Sequence, residues 1–109
     1  MKNRLQTLVE RFRSEPAVVT QYWTRHNVTA HREFRTAEES LDYLDWRNSQ
    51  YYNYLQLMPL LGVDGKVVLD LGCGPGNDLV GFGHYSRPAQ LIGADVSSTS
   101  LEQARKRLD

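Results

Sequence analysis

Apolar residues recur along this chain with two different spacings, and the change falls near residue 63. Leu5, Leu8, Val9 and Phe12 lie three and four positions apart and predict a helix over residues 3–12. Ser14-Glu15-Pro16 breaks that pattern and can start another helix. Val18, Val19, Tyr22 and Trp23 share one side of a second predicted helix, residues 17–25, although the β-branched pair leaves a strand open. Residues 27–35 are polar and read as irregular. Thr36 with Glu39 forms a capping box that starts a third helix, with Leu41, Leu44 and Asn48 on its face. The pattern breaks around Asn48 and Ser49. Residues 50–60 then predict a fourth helix, rich in Tyr51, Tyr52, Tyr54, Leu55 and Met58, with Pro59 near its end and Gly62 as its stop.

From residue 63 onward the runs shorten. Val67-Val68-Leu69-Asp70-Leu71 is apolar except for Asp70, which predicts a parallel strand buried on both faces. Gly72, Gly74 and Gly76 follow, and Asn77-Asp78 opens a helix. Residues 90–95 form a second apolar run ending in Asp95. Residues 97–108 place Leu101, Ala104 and Leu108 on one helical face. The predicted fold class is α/β: N-terminal helices followed by β-α-β-α.

Strand, glycine loop and helix together make a cradle for a nucleoside cofactor. A dinucleotide fold wants G-x-G-x-x-G, and counting from Gly72 puts Asn77 where the third glycine belongs. A P-loop is excluded, because no G-K-[ST] follows. The pattern present is D-x-G-x-G-x-G, from Asp70 to Gly76. In V-L-D-L-G-C-G-P-G the chain resembles the class I S-adenosylmethionine-dependent methyltransferases, whose first motif is an acid followed by G-x-G-x-G. Asp95 lies 19 residues after Gly76, near the spacing of a ribose-binding acid in Rossmann-like units.

The resemblance implies S-adenosylmethionine as cofactor, S-adenosylhomocysteine as product, and a site made of Asp70, Gly72, Cys73, Gly74, Gly76, Asp95 and Val96. Asp70 and the Gly72 backbone would hold the amino end of the methionine moiety, and Asp95 the ribose hydroxyls. Arg47, on the helix before the first strand, would pair with the cofactor's carboxylate. Each residue has a plainer reading beside this one. Asp95 could only cap a helix, and Asp70 could only satisfy loop amides. Cys73 reads as a small packing residue under the loop. Arg47 could be a surface residue paired with Glu39 or Asp45. Tyr22, Trp23, Tyr43, Trp46, Tyr51 and Tyr52 could line an acceptor pocket or simply pack between helices. His26, His31 and His84 are scattered without metal-ligand spacing.

Composition narrows the partners. The chain has 109 residues, with 13 basic and 13 acidic side chains, so no charge surplus favours nucleic acid or an acidic membrane. The single cysteine excludes an intrachain disulfide. No apolar stretch reaches membrane-spanning length, and the charged N-terminus is not a secretory signal, so a cytoplasmic protein is expected. The expected reaction is methyl transfer to a small-molecule acceptor, with no catalytic residue assignable.

The resemblance implies an N-terminal helical region over residues 1–62 and, over residues 63–109, the first part of a truncated cofactor domain. Such a chain is expected to be inactive alone. The outer edge of the first strand would then lack its neighbour, which invites pairing with another chain or a helix rearranged over that edge. Two rival readings remain. One is a methyltransferase-like interaction or dimerisation module without catalysis. The other is a nicotinamide enzyme, which Asn77 disfavours.

Overall fold

A computed structural model describes residues 17–27, 29 and 32–109. The helix expected over residues 3–12 lies outside the described residues. Seven elements follow: α1 (Ala17–Arg25), α2 (Ala37–Ser49), α3 (Tyr54–Leu57), β1 (Val67–Leu71), α4 (Asn77–Tyr85), β2 (Gln90–Ala94) and α5 (Ser98–Leu108). The segment with the Val18-Val19 pair is thus a helix rather than a strand.

Local chemistry starts α2 where the sequence predicts. Thr36 stays extended and its hydroxyl accepts a hydrogen bond from the Glu39 amide at 3.1 Å. The reciprocal bond of the capping box shifts by one residue, since the Glu39 carboxylate accepts from the Arg35 amide at 3.0 Å. Ser40, Leu44 and Asn48 form the buried stripe, four residues apart, and Leu41 sits half-buried beside it.

The fourth helix is a correction. Only Tyr54–Leu57 is helical, a single turn. Asn53 before it takes a left-handed conformation at φ 55°. Met58 after it is extended, because the ring of Pro59 disfavours helical geometry in the preceding residue. The apolar residues that suggested a long helix are largely at the surface, with Tyr52 90% and Leu57 80% exposed.

β1 and β2 pair in parallel, in register from Val67 opposite Gln90 to Leu71 opposite Ala94. α4 connects them. Leu79 and Phe82 of α4, Leu91 of β2 and Leu101 of α5 close a core with Leu60, Val63 and Cys73. Each fully buried leucine contributes about 1.5–3 kcal/mol relative to an exposed one. Leu91, Gly93 and Ala94 of β2 are buried and Gln90 and Ile92 half-buried, whereas β1 has one bare face. Val68 and Asp70 face inward, whereas Val67, Leu69 and Leu71 are 62%, 55% and 68% exposed. The expected burial of β1 on both faces therefore fails. No described helix packs on its outer face.

Gly76 has to be glycine for two reasons. Its φ is 87°, and a Cβ there would sit 2.9 Å from the Ala104 Cβ and 3.3 Å from its Cα. That close approach seats α5 against the start of α4. Asn27 reaches from the end of α1 to Gln103 of α5 at 2.8 Å, which brings the N-terminal helix over the loop end of the sheet.

Candidate functional site

The carboxyl ends of two parallel strands and the loop between β1 and α4 border a cleft of about 620 Å3. Ligand pockets usually fall in the range of roughly 300–1,000 Å3. Trp23 and Asn27 of the α1 region and Arg47 of α2 complete its walls.

The loop is held by its own amides. Gly72 and Cys73 donate to the Ala94 carbonyl at 2.7 and 2.9 Å, and Gly74 donates to the Asp95 carboxylate at 2.9 Å. Three consecutive amides are thereby consumed, so the loop offers no nest of free N–H groups for a phosphate. A side chain added at Gly72 or Gly74 would meet nothing within 4 Å, which leaves open space over the loop for a ligand. Among the described residues the Gly72 carbonyl accepts no hydrogen bond and stays available to a donor. Cys73 points the other way, into the core. Burial first, and then the charges of Asp70 and Asp95, push its thiol up to about 12, so it stays protonated.

Three carboxylates share the cleft. Asp70, on the inward face of β1, accepts no hydrogen bond from a described residue. Burial and the neighbouring Asp78 and Asp95 raise it from 3.8 to about 6, against the pull of Arg47. Asp95 accepts from Gly74 through one oxygen and from the Ser97 amide at 2.8 Å through the other. It does not cap α5, because the Ser97 hydroxyl does that by accepting from Ser100. A carboxylate has about four acceptor positions, so Asp95 keeps two for a ligand.

Arg47 is paired, but with neither Glu39 nor Asp45. Its two terminal nitrogens donate to Asp78 of α4 at 2.7 Å and to the Tyr54 hydroxyl at 2.8 Å, and Tyr54 donates to the same Asp78 oxygen at 2.5 Å. Burial works against the Arg47 charge, but Asp78 outweighs it and the guanidinium is raised. Burial and Asp78 together push the Tyr54 phenol up to about 12. Among the described residues the buried Arg47 Nε meets no hydrogen-bond partner.

Of the residues expected at the site, Asp70, Gly72, Cys73, Gly74, Asp95, Val96 and Arg47 all line the cleft. Gly76 does not, being turned against Ala104. Trp23 is the member of the aromatic set on this cleft, 45% exposed. Sequence reasoning gave no site role to Asn27, Asp78 or Arg107. Asp78 sits in the first turn of α4, where an acid is ordinary. Nothing in its neighbourhood points to an arginine 31 residues earlier. Arg107 carried a readable signal, three residues beyond Ala104 on the packed face of α5. Among the described residues no group of three His, Cys, Asp or Glu could hold a metal ion, and no helix is long and apolar enough to cross a membrane.

Comparisons with known proteins converge on one group. A family described as "Methyltransferase domain" matches residues 68–109. The mRNA cap guanine-N(7) methyltransferase of Saccharomyces cerevisiae is 31% identical over 90 residues, 83% of this chain and 20% of that protein. Trans-aconitate 2-methyltransferases of Afipia carboxidovorans and Rhodopseudomonas palustris are 36% and 40% identical over 73 residues, 67% of this chain and 28% of each relative. The chain thus spans between a fifth and a third of the length of these relatives. No solved structure matches at a comparable level. The matched segment holds β1 from Val68, the glycine loop, α4, β2 with its terminal acid, and α5, and residues 68–109 match the methyltransferase domain family as the N-terminal region of a class I methyltransferase would.

Proposed function

We propose that the chain carries the first half of an S-adenosylmethionine site and serves methyl transfer to a small-molecule acceptor. One observation carries this reading: the cleft beside the glycine loop is lined by three carboxylates, while the loop amides are already bonded. That environment favours a ligand with positive groups and disfavours a pyrophosphate. S-adenosylmethionine, with an ammonium and a sulfonium, suits it. The open space over Gly72 and Gly74 accommodates such a ligand.

Asp70 and the Gly72 carbonyl would receive the ammonium, and Asp95 the ribose hydroxyls through its two remaining acceptor positions. Arg47, on the cleft wall and held in place by Asp78, would take the carboxylate. The cofactor supplies a methyl group that is already electrophilic. The chain's task is to hold the reacting groups in line and to limit water at the site. Trp23, from the α1 side of the cleft, would help exclude water. The names of the relatives point to two acceptors, an mRNA cap guanine and trans-aconitate. The balanced charge of this chain and its acidic cleft support a small molecule over a polyanion.

Calorimetric titration with S-adenosylhomocysteine, beside NADH, tests the reading. Saturable binding of the first ligand alone is expected. Asp95→Ala should weaken it about 10- to 100-fold, as expected for lost hydrogen bonds to a charged group. NADH binding as tightly would overturn the assignment.

A second reading, a non-catalytic module that pairs with another copy, rests on the bare outer face of β1. Light scattering that shows only monomers would remove it.

A further inference from the structure

We infer that Arg107 is a positioning residue that fixes the glycine loop from behind, so that Asp95 is presented correctly at the cleft. Its guanidinium lies where α2, the loop, α4 and α5 meet. Nε donates to the Ser40 hydroxyl of α2 at 2.9 Å. One terminal nitrogen donates to the Pro75 carbonyl at 3.2 Å and to the Asn77 side-chain oxygen at 2.6 Å. The group stacks over the Phe34 ring at 4.5 Å, and its second terminal nitrogen is buried and has no hydrogen-bond partner among the described residues.

None of these acceptors is charged, and no described ion pair includes Arg107. A buried cation without an anion is a poor stabiliser, since desolvation is offset by hydrogen bonds alone. The guanidinium is therefore explained by what it holds. Asp95 grips the Gly74 amide at 2.9 Å on one side, and Arg107 grips the Pro75 carbonyl on the other. A carboxylate and a guanidinium clamp adjacent residues of one loop through its backbone dipoles. With Arg107 removed, the Pro75 carbonyl loses its donor, and the bond that orients both Gly74 and Asp95 loses its support. The contact with Ser40 ties α2, which carries Arg47, to the same clamp.

The test separates positioning from stability. Arg107→Met keeps the bulk of the stem and removes the donors, and Arg107→Lys keeps the charge but not the fork. For both variants we would measure the melting temperature, amide hydrogen exchange at Gly74 and Ile92, and S-adenosylhomocysteine affinity. The expected result for Arg107→Met is a small change in melting temperature, because relief of guanidinium desolvation offsets the acceptors left unpaired at Ser40, Asn77 and Pro75. Gly74 exchange should rise about tenfold or more while Ile92, whose amide faces β1 in the parallel ladder, is unaffected, as one lost hydrogen bond predicts. Arg107→Lys should fall between this variant and the parent chain. Unchanged Gly74 protection in both variants, or a loss of protection at Gly74 and Ile92 together with a lower melting temperature, would overturn the inference. The affinity arm rests on the proposed cofactor, and a drop of about tenfold is expected there. If the parent chain itself binds no S-adenosylhomocysteine, that cofactor reading fails, and the exchange data still decide the role of Arg107.

Discussion

Gly76 and Asp70 show how differently two residues of one motif act. Gly76 is a packing position: with φ 87° and Ala104 beside it, Gly76→Ala should cost about 2–4 kcal/mol, combining left-handed strain with overpacking. Chemical denaturation checks this, and a loss below about 1 kcal/mol would show that α5 yields easily. Asp70 is an electrostatic position. Folding raises its carboxyl from 3.8 to about 6, so the folded chain binds that proton more tightly than the unfolded one. Stability from this group is therefore greatest below about pH 4 and declines as pH rises toward 6. Asp70→Asn should remove that decline and stabilise the chain at pH 7 by about 1 kcal/mol, after discounting for screening at the open cleft. Denaturation of both chains between pH 4 and 8 reads the difference. The same ionisation should strengthen binding of a cationic ligand as pH rises through 6, which titrations at pH 5 and 7 would show.

The helices depend on local and distant chemistry in different proportions. α2 begins at its cap, and Thr36→Ala should cost about 0.5–2 kcal/mol by denaturation. Its far end depends on a bond to another helix. Arg47 keeps 15% of its side-chain surface and Asp78 22%, so neither charge is well hydrated when its partner is lost. Asp78→Ala should therefore cost about 2–3 kcal/mol, and Tyr54→Phe about 1 kcal/mol, in the same experiment. The cap was readable because both its residues lie within four positions. The Arg47–Tyr54–Asp78 network was not, because it joins three elements whose approach no local pattern encodes. α3 shows the reverse error. Its apolar spacing suggested a long helix, but Asn53 and the residue before Pro59 stop the backbone at both ends.

The outer face of β1 belongs to the molecule as a whole. Val67, Leu69 and Leu71 each expose more than half their surface beside a strand edge that is unpaired among the described residues. Exposed apolar surface of this kind favours association. The chain should therefore self-associate on light scattering, and Leu69→Lys should return it to a monomer without changing ligand affinity. A monomeric parent chain would show that this face is tolerated in water.

What the sequence determined by itself was short-range. The strand, the glycine loop, the cap of α2, the terminal acid of β2 and the helical face of α5 all follow from neighbours a few residues apart. Seven of the eight residues expected at the site do border one cleft, since the loop and both strand ends adjoin in any parallel β-α-β unit. The tertiary structure alone decided the rest. It turned Gly76 toward Ala104, gave Arg47 to Asp78, bared one face of β1 and set Arg107 behind the loop. Each of these depends on which surfaces meet at contact distance, and residue spacing along the chain carries little of that information.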